Sequence, residues 1–141
     1  ELEENQFVDY LATSGPCMLG HNYGPVRDYV IETIKSAGPM SGLTTTYELE
    51  AAKAICNHFP SIDKVRFYQS GTEVGMAMAR LARLHTGKSE IIKIQGHYHG
   101  WSDQFCVDLH LPGTGDMFAK GIPRDYYKHT RTVPPKDLDL L

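Results

Sequence analysis

The 141-residue chain sets 14 Lys and Arg against 17 Asp and Glu, a net charge of -3, with no run of five like charges. This argues against a basic face that tracks phosphates, and so against nucleic-acid binding. With 41% apolar and 22% charged residues it has the composition of a globular protein. No uninterrupted apolar stretch is long enough to span a membrane, and the acidic start Glu1-Leu2-Glu3-Glu4 lacks the basic and apolar regions of a signal peptide.

The three cysteines, Cys17, Cys56 and Cys106, are far apart and odd in number. Reduced thiols and a cytoplasmic location follow as the expectation, rather than a secreted disulfide framework. Neither end reads as a domain terminus, so the chain is expected to be a piece of a longer protein.

In chain order, Phe7–Leu11 alternates like a short strand, and Ser14-Gly15-Pro16 and Leu19-Gly20-His21-Asn22 supply turn chemistry. Pro25 opens a helix whose apolar stripe is Val26, Val30 and Ile34 and whose end is set near Ala37 by Gly38. Thr45 and Glu48 stand at capping-box spacing ahead of Leu49, Ala52, Cys56 and Phe59, which predicts a second helix ending near His58.

Val65–Tyr68 reads as a strand. Ser70-Gly71-Thr72 then turns the chain into a long helix that stops at Thr86-Gly87, and Ile91–Ile94 is the next strand. Residues 65–94 thus have the order and length of a strand–helix–strand crossover, which predicts an α/β fold with a mostly parallel sheet and flanking helices. Val107–Leu111 suggests a further strand, and no other element is predicted beyond residue 112. The expected division is an N-terminal strand, helix and loop segment over 1–45, followed by the start of a larger domain over 46–141.

The turn at Ser70-Gly71-Thr72 places backbone N–H groups and a small residue at a helix N-terminus, where an anion is favoured. Ser70 and Thr72 can add hydroxyl donors, and a plain N-cap is the other use of the same residues. Glu73 in the first turn should point away from a bound anion. After the next strand comes Gly96-His97-Tyr98-His99-Gly100-Trp101, at the same edge of the sheet, where Tyr98 is placed to stack on a planar ring. That reading requires both segments to face one cavity.

Phe67-Tyr68-Gln69-Ser70-Gly71-Thr72-Glu73, Ala79–Arg83, Thr86-Gly87-Lys88, Ile91-Ile92-Lys93 and Tyr98-His99-Gly100, with Leu19-Gly20-His21 before them, together resemble the signature of the class III aminotransferases. Within that family Asp9-Tyr10, Gly15-Pro16 and Leu19–Asn22 resemble the glutamate-1-semialdehyde 2,1-aminomutase branch. The resemblance implies fold type I, pyridoxal 5′-phosphate as cofactor, a homodimer, and small-molecule amino donors and acceptors. It implies that Ser70, Gly71 and Thr72 cradle the cofactor phosphate, that Tyr98 stacks on the pyridine ring, and that His99 and Gly100 shape the same wall. It also places Ser41–Thr46 in an active-site loop.

There are departures from the branch: Thr13-Ser14 stands where it carries Ser-Trp, Thr44 replaces a proline, and Glu3-Glu4-Asn5 replaces Asp-Gly-Asn. None of the eight lysines matches the family's catalytic lysine, and Lys120 and Lys128 read as solvated. The 141-residue piece is therefore expected to be inactive by itself. Arg80 and Arg83 read as surface arginines paired with carboxylates. Three alternatives stay open: a non-catalytic paralogue using the same fold for binding, a relative that condenses acyl groups, and a metal site from Cys17, His21, His97 and His99.

Overall fold

The computed structural model describes residues 6–38, 42–111, 115–117 and 120–135; Glu3-Glu4-Asn5 and Ser41 lie outside them. The chain divides into two units, Glu1–Lys53 and Ala54–Leu141.

In the first unit the predicted strand at Phe7–Leu11 does not form: Phe7–Asp9 is irregular, Tyr10-Leu11 bends, and a turn follows over 12–16. The Asp9 carboxylate accepts the N–H groups of Leu11 at 2.8 Å and Ala12 at 3.0 Å, satisfying locally the donors that a strand would offer to a neighbour. Ala12, Thr13 and Ser14 then carry positive φ, incompatible with extended pairing. The other Asp9 oxygen meets His21 Nε2 at 2.6 Å and closes the loop. Hydrogen bonding to His21, then to the two amides, holds the Asp9 carboxyl below its usual value.

Helix α1, Gly24–Ala37, starts with Pro25 in its first turn, and the Gly38 N–H returns to the Ile34 carbonyl, as the proline and glycine positions predict. Its apolar stripe of Val26, Val30 and Ile34 is exposed. Helix α2 spans Thr46–His58. Its capping box is reciprocal: Glu48 N donates to Thr45 Oγ1 and Thr45 N to Glu48 Oε2, both at 3.2 Å.

In the second unit the predicted strand Val65–Tyr68 has no ladder partner among the described residues. Its side-chain pattern suits a strand, but a strand exists only when another backbone completes the hydrogen bonds. Helix α3, Gly71–Thr86, follows and ends in the left-handed Gly87. Strand β1, Ile91–Ile94, comes next, then β2, Leu109–Leu111, β3, Gly115–Met117, the short helix α4, Arg124–Tyr127, and β4, Thr130–Val133.

β1 and β4 pair in parallel, Ile91 opposite Thr130 through Ile94 opposite Val133. β2 and β3 form an antiparallel pair, and Gly96 bridges in parallel to Leu109. The result is an α/β arrangement of helices and parallel strands. Among the described residues the buried apolar side chains are Ala79 of α3, Phe105 and Val107 of the loop after β1, Leu109 of β2 and Val133 of β4.

Candidate functional site

Because α3 leads into β1 through a tight turn at Gly87, its N-terminus lies beside the carboxyl end of β1, where α/β sheets place their ligands. Ser70, in extended conformation, is the N-cap: its Oγ accepts the Glu73 N–H at 3.3 Å and donates to Glu73 Oε2 at 3.0 Å. The Glu73 carboxylate is thereby drawn back onto the cap. Gly71 and Thr72 occupy the first turn, where backbone N–H groups have no acceptor within the helix.

The segment after β1 is clamped onto that turn. Gly100 has φ +99, and a Cβ built on it would lie 2.8 Å from both Cα and Oγ1 of Thr72. Only glycine permits that approach. The Trp101 N–H donates to Thr72 Oγ1 at 3.1 Å, leaving the Thr72 hydroxyl its own proton to donate elsewhere. One turn along α3, a Cβ on Gly75 would meet the His99 carbonyl at 3.1 Å and the Phe105 ring at 3.6 Å.

A groove of about 980 Å³ is lined by Gly71 and Thr72 together with Tyr98, His99 and Gly100, by apolar residues of α3 and β1, and by Glu90, Lys93 and His97. Ser70 is not on its wall. Five of the six residues singled out from the sequence thus border one cavity, and the sixth holds the helix end beneath it. The rings of His97 and His99 are 6.2 Å apart, and His99 meets Phe105 edge-on at 6.5 Å. Desolvation, then the nearby charges of Lys93 and His97, lower the His99 pKa below its ordinary value of 6.5.

Gly71 supplies a test of fit for a phosphate group. Its φ is not in the left-handed region, and a Cβ built there meets nothing within 4 Å, so neither backbone strain nor packing requires glycine. Close approach of an outside group to its N–H would require it. The donors suit a phosphate: two first-turn amides, one free hydroxyl proton, and a neighbouring carboxylate held elsewhere.

The chain matches the family described as aminotransferase class-III over residues 1–119. The chain belongs to the class-III aminotransferase family. Similar class-III relatives include the glutamate-1-semialdehyde 2,1-aminomutase of Psychrobacter sp. (strain PRwf-1), 39% identical over 97% of this chain and 32% of that protein. The enzyme of the same name from Methanothrix thermoacetophila is 40% identical over the same shares. This aminotransferase-family chain therefore spans about a third of the curated relatives it matches. Among solved structures, an omega-transaminase from Sphaerobacter thermophilus superposes with a TM-score of 0.77 at 26% identity, over 92% of this chain and 31% of that one. A transaminase with PLP bound gives 0.74 at 31% identity, over 90% and 30%.

Three residues were missed as contributors to the site. Lys93, on β1, is buried and bonded to the loop that follows Tyr98. Gly75 and Phe105 make the close packing under His99. A lysine alternating with isoleucines in a strand was the available signal for Lys93, whereas the other two depend on contacts remote in sequence. Among the described residues Arg83 pairs with no carboxylate: it donates to the Ser89 carbonyl at 2.8 Å and to Gln104 Oε1 at 2.9 Å, tying α3 to the same loop. Arg80 is exposed, as is Lys120, and the exposed Lys128 meets Asp125 at 3.3 Å. Among the described residues no group of three or more His, Cys, Asp or Glu side chains is placed to hold a metal ion.

Proposed function

We propose that this chain forms the phosphate-cradling and ring-facing part of a pyridoxal 5′-phosphate-dependent aminotransferase or aminomutase. The observation that carries the reading is the shared groove: the free-amide turn of α3 and the Tyr98–Gly100 segment both line it. When bound, the cofactor supplies an electron sink for reactions at the carbon bearing the amino group.

The chain's own residues bind and orient it. Gly71 and Thr72 donate backbone N–H groups to the phosphate, and the Thr72 hydroxyl adds its proton. Ser70 acts through its cap, which fixes the direction of those amides and turns the Glu73 carboxylate away from the anion. Tyr98 packs on the ring, while His99, whose pKa is lowered by desolvation and then by Lys93 and His97, and Gly100 complete the wall. The division into a 1–45 arm and a large-domain start over 46–141 belongs to the same proposal.

The exposed stripe of α1 supports a homodimer, because an apolar helix face of that length is usually covered in an assembled protein. No helix among the described residues is long and apolar enough to cross a membrane. The cysteines Cys17, Cys56 and Cys106 are unpaired, which supports a cytoplasmic protein. The substrates proposed are small amino donors and acceptors, with glutamate 1-semialdehyde first to be tried because of the similar aminomutases.

Binding is tested by quenching of Trp101, the single tryptophan, which adjoins Gly100. Pyridoxal phosphate should quench it at concentrations at least about tenfold below those needed for pyridoxal, since the phosphate adds charge-assisted hydrogen bonds. Equal affinity for the two would remove the phosphate cradle. The reaction is tested on the complete product of the coding region, with glutamate 1-semialdehyde and with separate amino donor and acceptor pairs.

A further inference from the structure

Lys93 is an unusual resident of a core. It is 4% exposed, on the β1 face shared with Ile91. Its Nζ donates to the carbonyl of Phe105 at 3.0 Å and of Val107 at 2.6 Å. Among the described residues no carboxylate completes an ion pair with it; Asp108 lies close enough to act through its charge but is bonded to Gln95 Nε2. Burying an ammonium group is unfavourable in isolation. An apolar residue would fill the same space without that penalty, but it would leave two buried carbonyls without donors.

Those carbonyls are joined by contact to the candidate site. Phe105 packs under His99 and against Gly75, and the chain from His99 runs directly into Gly100, which rests on Thr72. We propose that Lys93 is a positioning residue: its ammonium group fastens the carbonyls of Phe105 and Val107 so that the 97–107 loop lies on α3, which sets Tyr98, His99 and Gly100 over the first turn of the helix. Lys93 borders the groove, but its Nζ is engaged by the two carbonyls, and in this role it acts through the loop. The consequence for cofactor affinity rests on the function proposed above, whereas the fastening is read without any cofactor.

The test is amide hydrogen exchange in Lys93→Met, which keeps an unbranched side chain one heavy atom shorter and removes its donors. The Trp101 N–H, bonded to Thr72 Oγ1, and the N–H groups of Phe105 and Cys106, bonded to the Ser102 carbonyl, are followed beside those of α3 and β1. Exchange in the 97–107 loop should rise about ten- to a hundredfold while the middle of α3 is unchanged, because two buried carbonyls lose their donors and the loop opens locally. Uniform acceleration throughout α3, β1 and the loop would show that Lys93 supports the fold alone, and unchanged loop exchange would show that it fastens nothing; either overturns the proposal.

If Lys93→Met does not fold, Lys93→Gln is measured in the same way against the same criterion. Pyridoxal phosphate affinity, read from Trp101 quenching, should fall on the order of tenfold in the variant. Wild-type protein that binds no pyridoxal phosphate would refute the cofactor reading while leaving the exchange result to decide the fastening.

Discussion

Replacing Gly71 by alanine should move stability and ligand affinity in opposite directions. The glycine has an ordinary helical φ, and its missing Cβ faces open space, so alanine adds no clash and restricts the unfolded chain. Such a change stabilises by about 0.4–1 kcal/mol, which for a chain of this length raises the melting temperature by roughly 1–4 °C. In the proposed cradle the same methyl group would crowd the phosphate oxygen that approaches the Gly71 N–H. Loss of one charge-assisted hydrogen bond costs about 1.5–3 kcal/mol, or roughly a ten- to 150-fold weaker binding constant. Thermal unfolding by circular dichroism and Trp101 quenching by pyridoxal phosphate measure the two effects on one sample. A higher melting temperature with unchanged affinity would place the phosphate away from Gly71, and a lower melting temperature would refute the reading that nothing in the fold requires glycine there.

Gly100→Ala should behave in the opposite way, because its Cβ would sit 2.8 Å from the Thr72 backbone at φ +99; destabilisation of about 1–3 kcal/mol is expected, and a urea midpoint equal to wild type would contradict it. Tyr98→Ala should weaken pyridoxal phosphate by roughly three- to tenfold through lost ring packing of about 0.5–1.5 kcal/mol and leave inorganic phosphate binding unchanged; a parallel loss for both ligands would assign Tyr98 to the phosphate or to the fold. The His99 ring should titrate below 6.5 in an NMR pH series. Since its folded pKa is depressed, the folded state binds fewer protons, and the contribution of His99 to stability is present above 6.5 and lost as pH falls through the folded value. A midpoint at or above 6.5 would show that desolvation and the charges of Lys93 and His97 do not govern it.

The local chemistry of the chain was legible from its residues. The caps at Thr45–Glu48 and Ser70–Glu73, the Pro25 start and the Gly38 and Gly87 stops fall where side-chain type and spacing place them, because each is settled by contacts within about four residues. The turn at Ser70–Thr72, proposed to hold a phosphate, and the Tyr-His-Gly segment were legible for the same reason, as was the order helix, strand and turn that sets them at one edge of the sheet.

Only the tertiary structure decided what depends on distant partners. Phe7–Leu11 and Val65–Tyr68 carry strand-like patterns, yet Asp9 satisfies the first through a turn and the second lacks a described partner. Conversely, no strand is predicted at Thr130–Val133, although Thr130, Thr132 and Val133 are β-branched, and it becomes one because β1, 39 residues earlier, completes its hydrogen bonds. Lys93 stands in the sequence as one lysine among isoleucines, and its burial is explained only by the carbonyls of Phe105 and Val107 that it meets. Capping is a short-range property of the chain, whereas strand pairing and the burial of a charge are fixed by groups that only folding brings together.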